Sequence, residues 1–305
     1  MVKRRSIPRP NRRRDESLVW ARHPAATLDL SEKNVAVVGG TDGLGRALPR
    51  LMAARGAHVT VVGRTFRDEG TAGIEFMKAD LSRMSEGRRI GRALAAETLH
   101  VVVLTTGIAA PPHRQVTAEG VEIDMAVSYL SRFAALREFA PRLGRALPAD
   151  AAPPRVFVMG GPGTGAAGNP DDLNAERAYK SIPVHMNTVA GNEALVLDAA
   201  RRYPHARFFG LNPGLIKSNI RANLLGPGSF KHRLVEALIG LFTISPEAYA
   251  ERIVPLLFAP ELTMHGGALF NQKGEAIFPS EAMTPETVRA FQVASQALLS
   301  RAIAG

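Results

Sequence analysis

Residues whose types and spacing could hold a phosphate stand early in the chain, in Val35-Ala-Val-Val-Gly39-Gly-Thr41-Asp-Gly43-Leu44-Gly45-Arg-Ala-Leu48. An apolar run that fits a buried strand passes into glycines at 39, 43 and 45 and then into a helical pattern. Glycine lets the chain turn sharply, brings bare backbone N–H groups to an anion at a helix N-terminus, and lets the helix pack closely on the strand. The chemistry this suits is the grip on a pyrophosphate, with Gly39, Thr41, Gly43, Leu44 and Gly45 forming the turn. Any strand-to-helix turn wants a glycine, so a plain connection is the competing reading and the surroundings must decide. At the end of the next apolar run, Val59-Thr-Val-Val-Gly63-Arg64, an acid would bond the 2′-hydroxyl of NAD, whereas an arginine suits the 2′-phosphate of NADP. Arg64 therefore favours NADP, with NAD the alternative. Arg46 or Arg67 could share the task, and a surface role for Arg64 stays open.

The elements that must position these groups are legible as an alternation. Strands are expected at Asn34–Gly39, His58–Gly63, Glu75–Lys78, Val101–Thr105, Arg155–Met159, Arg207–Leu211 and Ala268–Asn271. Helical patterns lie between them, around Gly45–Arg55, Met84–Ala96, Ala118–Leu147, Val184–Tyr203 and Pro246–Phe258. Alternating strands and helices predict an α/β fold, a single Rossmann-type doubly wound parallel sheet of about seven strands with helices on both faces. In such a sheet ligands bind outside the carboxyl ends of the strands. The glycine turn, Thr105–Gly107 and Gly160–Gly161 all fall at such ends. Residues 29–305 read as one domain, and 219–241 as an insertion after the sixth strand.

The spacing Gly-x-x-x-Gly-x-Gly resembles the short-chain dehydrogenase/reductase family, and the likeness runs over roughly residues 31–275. Lys78-Ala-Asp80-Leu81-Ser82 is similar to the family's Asp-Leu pair after the third strand, which implies that Asp80 meets the adenine amino group; a helix N-cap is its other reading. Leu104-Thr105-Thr106-Gly107 stands where the family has Asn-Asn-Ala-Gly and keeps the glycine that lets the backbone approach the adenosine ribose. Pro213-Gly214-Leu-Ile216-Lys-Ser218 resembles Pro-Gly-x-Val-x-Thr, which implies a hold on the nicotinamide carboxamide. The insertion at 219–241 would then be a lid over substrate, or a segment packed on the body or a partner.

The resemblance breaks off where the family does its chemistry. Its members use a Tyr as general acid/base in Tyr-x-x-x-Lys, a Ser that polarises the carbonyl, and an Asn that holds a water relay; the Lys lowers the Tyr pKa. No Tyr-x-x-x-Lys exists in the expected region. Anchoring Gly191-Asn192 on the family's Ala-Asn sets His185 at the Tyr position and Val189 at the Lys position. The catalytic Ser falls on Gly161, and the Asn on Ser128. His185 is the candidate proton donor, because imidazole titrates near neutrality, with a structural histidine as the competing reading. Tyr179, in Tyr179-Lys180-Ser181, is the second candidate, although adjacent residues do not share a helix face. Tyr129, Asn187 and Thr164 rank below both. The implied function is an atypical NAD(P)-dependent oxidoreductase moving hydride between the nicotinamide and a small carbonyl or alcohol. The alternative is a non-catalytic NAD(P)-binding protein acting as redox sensor or scaffold.

Composition narrows the remaining choices. The chain has 305 residues, 46% of them hydrophobic, enough for a large core. It has no cysteine, which rules out disulfides, thiolate metal sites and a cysteine nucleophile and fits a cytoplasmic setting; no metal site is expected. The net charge is +10, but residues 1–24 hold eight Lys/Arg against Asp15 and Glu16, so six of those charges lie there. Residues 1–28 are thus expected to form a basic extension without a packed fold. Such a tail is either solvated or a contact for nucleic acid or an anionic membrane surface. The family often forms dimers or tetramers through the helices that here lie near Ala118–Leu147 and Val184–Tyr203, which admits a homodimer and leaves the oligomeric state open.

Overall fold

The computed structural model describes residues 13–214 and 244–304. Its sheet runs in the order β3-β2-β1-β4-β5-β6-β7-β8. Six strands carry the body: β1 (Asn34–Val38), β2 (His58–Gly63), β3 (Ile74–Lys78), β4 (Val101–Leu104), β5 (Arg155–Met159) and β6 (Arg207–Leu211). The two short strands β7 (Leu269–Phe270) and β8 (Ala276–Ile277) complete it, the last antiparallel to its neighbour. The sheet thus has eight strands among the described residues, against about seven expected; the eighth is a two-residue return too short to announce itself by pattern.

The strands are apolar on both faces because both are covered. Val35, Val37, Val59, Val61, Val101, Val103, Phe157 and Phe209 share one core with Leu48 and Met52 of α1 (Gly43–Ala54) and with α6 (Pro246–Phe258). The alternate residues Ala36, Val38, Val62, Val102, Leu104, Val156 and Val158 pack on the other side. Their partners are Ile90 of α2 (Met84–Ala93), Phe133, Leu136 and Phe139 of α4 (Ser131–Phe139), and Leu195 of α5 (Ser181–Arg202). The period-2 side-chain alternation of a strand splits one valine-rich run between two cores.

Three features differ from expectation. The helix expected at Ala118–Leu147 begins only at α3 (Ile123–Met125), because residues 116–122 turn back in a bridge and the Glu122 carboxylate caps Met125 N at 2.7 Å. It then passes through a π-helical turn, Ala126–Leu130, before α4. A helix absent from the sequence reading, α7 (Pro285–Ala304), packs on α5 through Val288, Phe291 and Leu298; Thr284 Oγ1 caps its Thr287 N at 3.3 Å. Finally, residues 13–28 are not a free extension. Arg14 bridges to Ile277, Leu18 and Trp20 are 5% and 7% exposed, and Trp20 Nε1 donates to the Gly274 carbonyl at 2.6 Å. The arginine count masked both a backbone that pairs with the β8 edge at residues 13–15 and two large apolar side chains that join the core.

Candidate functional site

Strand order reverses between β2-β1 and β4, so the crevice opens where β1 and β4 end side by side. Gly39 adopts φ +98° and Gly43 φ +48°, the left-handed region that favours glycine. A Cβ at Gly39 would lie 2.6 Å from Thr106 N, and one at Gly45 would lie 2.1 Å from the Gly39 carbonyl oxygen. Positions 39 and 45 are therefore closed to any side chain, and Gly39 faces the end of β4. The Asp42 carboxylate accepts from Gly43 N at 2.8 Å and caps α1. Thr41 packs against Gly63 so closely that a Cβ there would meet its Cγ2 at 2.5 Å, joining the first turn to the end of β2. Leu44 packs on the apolar core beneath.

The cations beside this turn are not equivalent. Arg46 is committed to the buried Asp68, with Nη2 to Oδ1 at 2.7 Å, and Arg67 lies 3.3 Å from Asp42. Arg64 is exposed at the end of β2 and has no acidic partner among the described residues. Asp80, exposed after β3, accepts from Ser82 N at 3.1 Å and Ser82 Oγ at 2.8 Å through one oxygen, which leaves the other open. Leu81 is 5% exposed and anchors that loop in the core. Gly214, at φ +69°, donates to Asn212 Oδ1 at 3.0 Å after β6, next to Pro213. Ile216, Ser218 and the insertion 219–241 lie outside the described residues. A glycine turn with no room for side chains at 39 and 45, the α1 N-terminus, and an exposed arginine without an acidic partner among the described residues fit an anionic dinucleotide.

A buried polar network fills the end of the sheet beyond Gly107, where a Cβ would still have room, its nearest neighbours being Ser128 Oγ at 3.8 Å and Arg132 Nη2 at 3.9 Å. Arg132 is 2% exposed. It donates from Nε to Thr106 Oγ1 at 3.2 Å, from Nη2 to the Thr106 carbonyl, and from Nη1 to the Met159 carbonyl and Asn192 Oδ1, both at 2.9 Å. Burial pushes its guanidinium down to about 9. Asn192 Nδ2 in turn donates to the Ser128 and Thr188 carbonyls, each at 2.8 Å. The ends of β4 and β5, the π turn and α5 are thus tied into one piece. Single π turns inside helices recur at functional sites, where they re-aim side chains.

That turn presents Ser128, and one helical turn earlier stands Asp124, 0% exposed. Ser128 Oγ donates to Asp124 Oδ1 and accepts from Ile108 N at 3.0 Å. Asp124 Oδ2 lies 2.8 Å from His185 Nδ1 in the first turn of α5. An ionised carboxylate only accepts, so Nδ1 carries the proton and Nε2 is left for another partner. The hydrogen bond to Asp124 raises the His185 pKa above its ordinary 6.5, outweighing the opposing effect of burial. The His185 side chain remains reachable, at 40% exposure.

The other candidates are placed differently. Tyr179 donates its hydroxyl to the Pro111 carbonyl at 2.6 Å, and burial pushes its pKa up to about 12. It anchors a small apolar cluster of Ala110, Ala175 and Val184, and its phenol is poorly suited to give or take a proton near neutrality. Tyr129 is fully buried against Ser295 Oγ, and Asn187 holds the backbone of Asn169 through Oδ1 and Nδ2. Thr164 Oγ1 is buried. Val189 faces Gly161, whose hypothetical Cβ would lie 3.8 Å from Val189 Cγ1. Sequence reasoning missed Asp124, Arg132 and Glu122. Only the i, i+4 spacing of Asp124 and Ser128 could have signalled them, and both positions look like ordinary helix polarity.

No family model matches the chain. It is 46% identical over 295 residues to an uncharacterized oxidoreductase of Saccharomyces cerevisiae, covering 95% of this chain and 96% of that one. It is 24% identical over 216 residues to a short-chain dehydrogenase/reductase of Armillaria gallica, covering 64% and 69%. A solved short chain dehydrogenase of Salmonella enterica superposes with a TM-score of 0.56 at 18% identity over 80% of this chain and 96% of that one, a likeness of fold. The chain belongs to the short-chain dehydrogenase/reductase family. No helix among the described residues is long and apolar enough to cross a membrane.

Proposed function

We propose that this protein is an NADP-preferring oxidoreductase that reduces a carbonyl, or oxidises the matching alcohol, with His185 in place of the family's tyrosine as proton donor. The observation that carries the reading is the contact of His185 Nδ1 with the buried Asp124 at 2.8 Å. It fixes one tautomer, leaves Nε2 for the nascent alkoxide, and holds the imidazole proton at higher pH than a free histidine would. Bound NADPH would supply the hydride. The glycine turn would hold its pyrophosphate, Asp80 its adenine, and Gly107 its ribose. Arg64, exposed and without an acidic partner among the described residues, supports the 2′-phosphate and hence NADP over NAD. Arg132 positions the Thr106–Gly107 backbone rather than touching substrate.

A second reading, a nucleotide-binding protein without turnover, draws on Val189 and Gly161 at the positions of the family's Lys and Ser. Gly161 adopts φ +71°, so a serine cannot be restored there without backbone strain. The two readings separate when the nicotinamide fluorescence of NADPH is titrated with protein and followed after adding a panel of aldehydes and ketones. Enhancement followed by decay supports the enzyme, and the decay should slow by about 10²–10⁴-fold in His185→Phe, the worth of a positioned proton donor. Stable enhancement with every compound supports binding alone, and an unchanged rate in the variant removes His185 from the reaction.

A further inference from the structure

At the opposite end of α5 from His185, helices α4, α5 and α7 border a cavity of about 720 Å³ that is widely open to solvent. Arg201 is sixteen residues beyond His185, about 24 Å along the helix at the usual rise, so the two regions are separate. Four guanidiniums line the cavity from three elements: Arg137 of α4, Arg201 and Arg202 of α5, and Arg289 of α7. A single carboxylate, Asp198, faces them. Arg202 Nε binds Asp198 Oδ2 at 2.9 Å, and Arg137 Nη2 stands 3.9 Å from that same oxygen. One negative charge is thus shared by two cations, while Arg201 and Arg289 make no close ion pair among the described residues, the charge of Glu286 reaching Arg289 only from one helical turn away.

The floor carries a second signal. Gln292 is only 6% exposed, and its Oε1 accepts from Arg137 Nη2 at 2.9 Å. Its Nε2 is buried and has no hydrogen-bond partner among the described residues, and the same holds for Arg137 Nε, whose guanidinium lies over the Phe133 ring at 4.8 Å. Two buried donors left without an acceptor are costly unless something fills that role. Beside them Val293 is 65% exposed, an apolar side chain on the wall of an otherwise cationic hollow.

We infer that this cavity binds an organic phosphate, distinct from the dinucleotide, with the phosphoryl group on Arg201, Arg289 and the Gln292 amide and an apolar remainder against Val293. Guanidinium forks match phosphate oxygens in pairs, and four arginines against Asp198 and the nearby Glu286 leave the lining net positive, as a phosphate dianion needs. The volume lies in the range of small-molecule sites and far exceeds a bare phosphate. The inference does not depend on His185 or on turnover.

The test is calorimetric titration of the full chain, saturated with NADPH, using phenyl phosphate as probe. Phosphatidylcholine vesicles with and without phosphatidic acid run in parallel, to separate a free ligand from a lipid headgroup. One phenyl phosphate per chain is expected, with affinity weakened about tenfold or more in Arg201→Glu/Arg289→Glu. Both positions are exposed, so the doubly substituted chain should fold, which its melting curve checks. Gln292→Leu, which keeps the volume and removes the amide donor, should weaken the probe without altering NADPH binding. Binding to phosphatidic acid vesicles that is lost in the double variant assigns the phosphate to a headgroup. Phosphate binding that is unaffected by the arginine substitutions, or no binding to either probe, overturns the inference. If NADPH itself fails to bind, the titration is run without it, and a positive result still stands.

Discussion

Replacing Asp124 by Asn keeps the shape of the side chain and removes one charge from a fully buried position. Ser128 Oγ can still donate to the amide oxygen, which turns the amide NH₂ toward His185 Nδ1. That nitrogen must then accept, so the neutral ring keeps its proton on Nε2 and the imidazolium loses its partner. The His185 pKa, raised in the native protein chiefly by the Asp124 hydrogen bond, should fall. Reduction needs the protonated ring, so activity should persist below that pKa and decline as pH rises through it. In the variant this decline should move to lower pH. The imidazole itself remains, so the rate loss should sit at the lower end of the worth of a positioned acid, about 10²-fold, or about 2.7 kcal/mol in the barrier. Stability follows the same linkage. A raised pKa stabilises the fold fully below the ordinary 6.5, and the gain is lost as pH climbs through the raised native value. The variant should lack that pH dependence. Proton NMR titration of the His185 ring, assigned by comparison with His185→Gln, reads the pKa directly, and NADPH consumption against pH reads the rate. An unshifted ring titration, or a pH profile superposable on that of the native protein, would refute the dyad.

Three further outcomes test the rest of the site. Arg64→Glu should weaken NADPH by about 10–100-fold, the worth of a hydrogen bond to a charged group, with NADH much less affected; equal losses for both would remove Arg64 from the 2′-phosphate. Gly45→Ala places a Cβ 2.1 Å from the Gly39 carbonyl oxygen, so thermal melting should show a loss of about 1–3 kcal/mol or more and NADPH fluorescence enhancement should disappear. Trp20→Ala removes a 7%-exposed indole and its hydrogen bond to Gly274. It should cost about 3 kcal/mol in denaturant unfolding with NADPH affinity nearly intact, and a neutral result would mean that the segment adds no stability.

Much of this molecule is written locally. Period-2 valines, glycines between a strand and a helix, and the α/β alternation depend on neighbours a few residues apart, and they yielded β1 to β7, the doubly wound sheet and the glycine turn. Arg64 at the end of β2 could likewise be placed from the strand alone. The proton-handling side is different. Asp124 and His185 are 61 residues apart, and Arg132 and Asn192 are 60 apart. Nothing in the local pattern around Asp124 or Arg132 marks them off from solvent-facing helix residues. Only the packing of α5 across the π turn buries them and turns an ordinary helical Asp into the partner of a particular imidazole. The N-terminal segment teaches the same lesson from the opposite side. Its charge is countable from composition, but the β8 edge that pairs with Arg14 and the core that receives Leu18 and Trp20 exist only after the chain has folded. Long-range pairing, set by which faces are left to bury, decided what local pattern left open.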